Sequence, residues 1–328
     1  MNRRRFVALI GFGAAHWPLY LSAQGARAPQ RIAFLGHTPA DTDVTRRILS
    51  GFREGLAGAG FAEGRNVTID FIAEPEIIKL PERVRELLAR KPDLLVALTT
   101  PIAQAAARAT RITPIVFGTV SDPIGSGLVA SLARPGGNVT GVSNMLPELS
   151  GKLLELLREI VPTVERVAVL WNPDNPAKAI ELRELQAAAL STKLVLLEVP
   201  ARSGQEIERA LSGLSKDGAQ ALVILAETLT FTHRQRISEL ALARRIPIIS
   251  NNTPHTQAGG LVSYSPIYGM LDRRLGALAG KILSGAKPAE LPVELPTNFE
   301  VVVNLKTAKA LGIKMPQSIL LRAERVIE

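Results

Sequence analysis

The sequence predicts an α/β protein built as two Rossmann-like lobes with parallel sheets, joined by a hinge. Three observations carry that expectation. Short β-branched runs alternate with amphipathic helical stretches from Arg31 onward, which is the order that builds βα units. Most of the strand runs are continuously apolar, as expected of strands covered by helices on both faces. The pattern also occurs twice. Arg31-Ile32-Ala33-Phe34-Leu35 is matched by Arg166-Val167-Ala168-Val169-Leu170, Leu94–Leu98 by Ala221–Leu225, and Pro114-Ile115-Val116 by Pro247-Ile248-Ile249. A length of 328 residues suits two domains, each with its own core.

Residues 1–28 read as an export signal. Arg3, Arg4 and Arg5 precede an apolar stretch from Val7 to Ala15, and small residues follow around Ala23, Gly25, Ala26 and Ala28. This is the order of charge, grease and small residues that a secretory leader needs. The apolar stretch is short of the ~20 residues a membrane-spanning helix requires, and Pro18 interrupts it. Arg3-Arg4-Arg5-Phe6 also fits a twin-arginine signal, so the Sec and twin-arginine routes are both compatible with it. The whole chain carries 39 Lys and Arg against 30 Asp and Glu. The leader holds four of those arginines and no acid, so the remainder is only mildly basic and a nucleic-acid partner is not expected. With no cysteine, disulfides, thiolate metal sites and cysteine nucleophiles are excluded.

Beyond the leader, strands are expected at Ile32–Leu35, Val67–Ile72, Leu94–Leu98 and Ile115–Phe117 in the first lobe. In the second they are expected at Val167–Leu170, Leu194–Val199, Ala221–Leu225 and Ile248–Ile249. Val44, Ile48, Phe52 and Leu56 recur at four-residue spacing and predict a helix over Val44–Ala59; Leu80–Ala89 and Ile237–Ala243 behave similarly. The Gly-rich run Pro135 to Gly141 precedes a strand, so it reads as a tight turn and not a phosphate loop. After the second lobe come the segment Gly259-Gly260-Leu261-Val262-Ser263-Tyr264, a helix-like stretch Tyr268–Leu283, a Pro-rich passage and a final strand Glu300–Asn304. Returning these elements to their lobes gives residues 29–143 plus 256–286 for lobe 1 and residues 144–255 plus 287–328 for lobe 2.

In open parallel sheets a ligand lies at the carboxyl ends of the strands. Those ends carry Gly36-His37-Thr38, Thr99-Thr100, Ser121-Asp122, Trp171-Asn172, Glu227 and Asn251-Asn252. Thr99 and Thr100 open a helix, so they serve either as caps or as a cradle for a small carboxylate. Asp122 and Glu227 read as partners for an ammonium group, or as caps and hinge salt bridges. Trp171 offers a stacking face or fills a core. His16, His37, His233 and His255 show no metal-ligand spacing and are expected to be solvated. No G-x-S-x-G elbow occurs, and Gly36-His37-Thr38-Pro39 stands where a dinucleotide fingerprint would. A catalytic role is therefore not expected.

Several long motifs then coincide with one family. Gly51-Phe52-Arg53-Glu54-Gly55-Leu56, Glu63-Gly64-Arg65-Asn66-Val67, Ser121-Asp122-Pro123, Ala133 through Gly141, Trp171-Asn172-Pro173 and Ala258 through Tyr264 occur in this order. Together they resemble the ABC-transporter substrate-binding proteins that include tryptophan- and tyrosine-binding members. The resemblance implies a type I periplasmic binding fold with three interlobe crossovers and a monomer with no cofactor. It also implies periplasmic capture of a small solute, an amino acid or a relative of one, for a membrane permease and its ATPase. Ligand contacts are then expected at Thr38, Thr99, Thr100, Ser121, Asp122, Trp171, Asn172, Glu227 and Asn251. A regulator's effector domain and a nucleotide-dependent enzyme are the competing expectations.

Overall fold

The computed structural model describes residues 28–214 and 217–328, so the export-signal reading falls almost wholly outside the described residues. The first lobe runs β1 (Gln30–Gly36), α1 (Asp43–Gly58), β2 (Val67–Ala73), α2 (Leu80–Ala89), β3 (Leu94–Leu98), α3 (Thr100–Ala109), β4 (Ile115–Val120) and β5 (Val139–Ser143). The second runs α4 (Ser150–Ile160), β6 (Arg166–Trp171), α5 (Pro176–Thr192), β7 (Val195–Pro200), α6 (Gly204–Gly213) and β8 (Ala221–Ile224). It continues through α7 (Thr228–Thr232), α8 (Arg234–Ala243), β9 (Ile248–Ser250), α9 (Thr253–Gln257) and β10 (Val262–Pro266). The chain ends with α10 (Tyr268–Leu283), β11 (Phe299–Asn304), α11 (Leu305–Leu311), α12 (Gln317–Arg322) and β12 (Arg325–Ile327).

The first sheet has the order β2-β1-β3-β4-β5 and is parallel throughout. The second repeats it as β7-β6-β8-β9-β10, then adds β11 antiparallel to β10, and β12. Alternation along each central strand assigns side chains to opposite faces. Ile32 and Phe34 pack with α1 and α10, whereas Ala33 and Leu35 pack with α2 and α3. Val167 and Val169 face α4 and α5, whereas Ala168 and Leu170 face α6 and α8. Helix α1 starts where the Thr42 side chain accepts the Thr45 amide at 3.2 Å, one of the four donors a helix start leaves unpaired.

Two lobe boundaries differ from the sequence expectation. Residues 256–266 were expected in lobe 1, but β10 lies between β9 and β11 in the second sheet. It fills the slot that β5 fills in the first lobe, so the repeat extends one strand further than the local pattern suggested. Residues 287–295 were expected in lobe 2, but they stay with the first. Ser143 N donates to Glu294 O, and Glu294 N to Gly141 O, each at 2.9 Å, while Val293 is part of the first lobe's core. The chain therefore crosses near residues 144–149, at Pro266–Tyr268 and again near residues 296–299. The last two crossings are bonded to each other through Ile267 N and Asn298 O at 3.1 Å.

Between these crossings α10 returns to the first lobe and packs on α1 at very short range. A Cβ at Gly55 would lie 2.0 Å from the Arg273 carbonyl, and one at Gly276 2.0 Å from the Phe52 carbonyl. Gly55 of the Gly51-Phe52-Arg53-Glu54-Gly55 motif and Gly276 thus let the two helix backbones meet.

Candidate functional site

The strand-end loops of the two sheets face each other across a cavity of about 770 Å³, a volume that includes the solvent at its mouth. The first lobe lines it with His37, Arg47, Thr99, Thr100, Thr119, Ser121 and Asn144, and with Tyr268 and Asp272 of α10. The second contributes Asn175, Lys178, Glu227, Thr228, Phe231 and Asn252. The wall is mixed, since Val44, Ile48, Leu146, Ala226 and Pro254 supply apolar surface between these polar groups.

Unusual backbone geometry marks two of the threonines in the wall. Thr99 has φ 72° and Thr119 φ 54°, a region that β-branched residues rarely enter because Cβ crowds the backbone. Thr119 also sits where the pairing of β4 with β5 shifts register between Gly118 and Val120, so a bulge turns it out of the strand. Strain of this kind persists where the surroundings enforce it and concentrates at ligand sites. At the start of α3 the first-turn amides of Thr100 and Ile102 have no intrahelical acceptor, and Pro101 contributes no N–H.

Charge enters the cavity in unequal states. Lys178 and Glu181 are a buried ion pair on α5 at 2.5 Å, and Asn251 Nδ2 also donates to Glu181. Glu227 caps α7: its Oε1 accepts from the Leu229 amide at 2.8 Å and the Thr230 amide at 3.3 Å. Burial raises its pKa, opposed by the Lys178 charge and those amides. Burial pushes Asp272 up to about 6 with Arg47 opposing, and pushes His37 down to about 4, so that imidazole is neutral near pH 7. The His37 ring meets Phe231 edge-on at 6.1 Å across the cleft, and burial also raises the Tyr268 hydroxyl pKa.

Of the nine residues expected to bind, Thr99, Thr100, Ser121 and Glu227 line this cavity. Asn172 lines an adjoining chamber that shares Glu227 and Thr228, and its Nδ2 reaches Glu227 at 3.5 Å. The remaining four have other uses. Thr38 bonds Thr45 at 2.7 Å inside the first lobe. Asp122 closes its own turn by accepting the Ile124 and Gly125 amides. Asn251 is fully buried behind the wall, holding Glu181 and the Ala226 amide. Trp171 packs on the second lobe's core and does not reach the cavity.

The histidine expectation also differs at two positions: His37 is half-buried in the cavity wall, and His255 is completely buried beside Ser250. The residues missed by the strand-end rule lie chiefly on helices: Arg47, Lys178, Phe231, Tyr268 and Asp272. A signal for two of them existed, since Asp272 and Lys178 occupy the buried faces of α10 and α5. Among the described residues no cluster of three or more metal-ligating side chains occurs, and no helix is long and apolar enough to cross a membrane.

Two duplicated α/β lobes that share one cavity, with three crossings between them, define a two-lobed solute-binding protein of the type I periplasmic fold. Residues 37–327 match the ABC transporter substrate binding protein family, and the chain belongs to that family. It is 30% identical over 265 residues to the tyrosine-binding protein of Clostridioides difficile, covering 80% of this chain and 76% of that protein. Among solved structures, the ABC domain in complex with L-Trp from Streptococcus pneumonia superposes with TM-score 0.85 at 29% identity, over 92% of this chain and 100% of that one. A ligand-free, open substrate-binding protein with adhesive properties from Clostridium difficile gives 0.67 at 27% identity, over 91% and 99%.

Proposed function

We propose that the protein captures an amino acid or a close relative, aromatic side chains included, in the interlobe cavity. It then delivers the solute to the permease of an ABC importer when its lobes close. The observation that carries this reading is the shared wall: polar groups of both lobes converge on one cavity, so a bound solute gains contacts in the closed form that the open form lacks. Closure is driven by that difference in affinity and nothing else. The carboxylate would lie against the first turn of α3 with the Thr99, Thr100 and Ser121 hydroxyls, and a side-chain ring near Phe231 and Tyr268. The comparisons support the reading. At nearly equal identity the likeness is higher to the L-Trp complex than to the open, ligand-free structure, as expected if the lobes here stand in the closed setting.

In this reading the protein acts outside the cytoplasm, exported by residues 1–28, and returns its solute chemically unchanged. Calorimetry and thermal shift against a panel of L-amino acids test it, because a solute that binds only the folded form raises the melting temperature by mass action. The expected result is saturable binding of at least one member, a smaller radius of gyration by solution scattering, and recovery of the solute at unaltered mass. Absence of binding across the panel, or conversion of any member, overturns the reading.

A further inference from the structure

Four buried polar atoms on residues of the cavity wall have no hydrogen-bond partner: His37 Nδ1, Asn144 Oδ1, Asn252 Oδ1 and Asp272 Oδ2. Buried polar groups are nearly always paired, and an unpaired carboxylate oxygen is the most expensive of these to leave alone. We propose that Asp272, assisted by Asn144, holds a cationic amine of the solute, and that the cavity therefore selects amine-bearing solutes over carboxylates, sugars and other uncharged compounds. This rests on the reading of the cavity as the solute site.

Three observations single out Asp272 among the carboxylates nearby. The others are already engaged: Glu227 caps α7, Glu181 holds Lys178 and Asn251, and Asp122 closes a turn. Space is built for Asp272, since a Cβ at Gly51 would stand 2.8 Å from the Asp272 Cβ. Its counter-charge is incomplete as well. Arg47 Nε stands 3.8 Å from Oδ2, close enough for attraction but beyond hydrogen-bond reach, and the Arg47 side chain is half exposed. The remaining charged and titratable groups around the cavity are Tyr268 on the same helix, His37 after β1, Lys178 and Glu181 on α5, and Glu227 before α7. Only Arg47 among them pulls the Asp272 carboxyl down against burial. Asn144 adjoins the Tyr268 hydroxyl, one helical turn from Asp272, which places a second acceptor on the same side of the cavity. An ammonium group donates three hydrogen bonds and carries the charge that the carboxylate lacks.

The test pairs amino acids with the acids that lack the amine: L-tryptophan with indole-3-propionate, L-tyrosine with 3-(4-hydroxyphenyl)propionate, and L-leucine with 4-methylpentanoate. Each is titrated by calorimetry at pH 8 into the wild-type protein, Asp272→Asn, Gly51→Ala and Asp122→Asn. The expected result is that an amino acid binds wild type at least a hundredfold tighter than its partner acid. Asp272→Asn should shrink that ratio at least tenfold with the partner acid's affinity unchanged. Gly51→Ala, which displaces Asp272 without altering charge, should shrink it too, and Asp122→Asn, which alters a carboxylate spent on its own turn outside the cavity wall, should keep it. A ratio that survives Asp272→Asn in a variant with normal circular dichroism overturns the assignment while leaving the solute site standing. Failure of every amino acid to bind wild type instead overturns the underlying reading, and the proposal with it.

Discussion

Asp272 carries opposite consequences for stability and for binding. Its carboxyl moves from an ordinary value of 3.8 up to about 6 in the folded chain. Between those pH values the folded state retains a proton that the unfolded chain has lost. Stability from this group is therefore fully present below pH 3.8 and is lost as the pH rises through about 6, at a cost of roughly 3 kcal/mol. Asp272→Asn removes that cost, so the solute-free variant should melt a few degrees higher than wild type at pH 8 by calorimetry, although it binds amines less tightly. In wild type, affinity for an amine-bearing solute should fall as the pH drops below about 6, where the carboxyl takes up a proton; titrations at pH 8, 6.5 and 5 check the sign. Asp122 is the contrasting case. Because it serves its own turn, Asp122→Ala should cost about 1 kcal/mol in denaturant unfolding and leave solute affinity unchanged. The strand-end rule found Thr99, Thr100, Ser121 and Glu227 because a parallel sheet fixes where its strands stop. It could not weigh Asp122 against Asp272, since whether a carboxylate is spent on a turn or aimed into a cavity depends on neighbours brought together by folding. A charged residue on an otherwise apolar helical face, as Asp272 is beside Leu271 and Leu275, was the readable clue.

Elements were more legible than side-chain roles. The helices Leu80–Ala89 and Tyr268–Leu283 were read with the bounds they have in the structure, because apolar spacing and a leading Pro or Pro-rich flank are local signals. The position of β10 was not local: nothing within its Val-Ser-Tyr-Ser-Pro segment says which sheet it joins, and only pairing does. The same limit hid the contact between α1 and α10. Glycine in a helix interior costs up to ~1 kcal/mol relative to alanine by propensity alone, so Gly55→Ala and Gly276→Ala would stabilise an isolated helix. In the folded chain each new methyl would meet a backbone carbonyl at 2.0 Å, and backbone cannot rotate out of the way. Each substitution should therefore destabilise by about 1–3 kcal/mol or more, seen as a lower denaturation midpoint with unchanged slope.

Across the whole molecule, neither lobe is a continuous stretch of chain. The first is complete only when α10 arrives from beyond the second lobe's fifth strand to cover Ile48, Phe52 and Leu56 with Leu271, Leu275 and Leu278. A fragment of residues 28–266 should accordingly lack slow hydrogen exchange in α1, although it contains every strand of the first sheet; protection equal to that of the full chain would contradict this. During synthesis the greasy side of α1 waits for more than two hundred further residues to leave the ribosome. A nascent chain with that arrangement is slow to lock itself shut, because the helix that seals its amino-terminal half is among the last elements to be made.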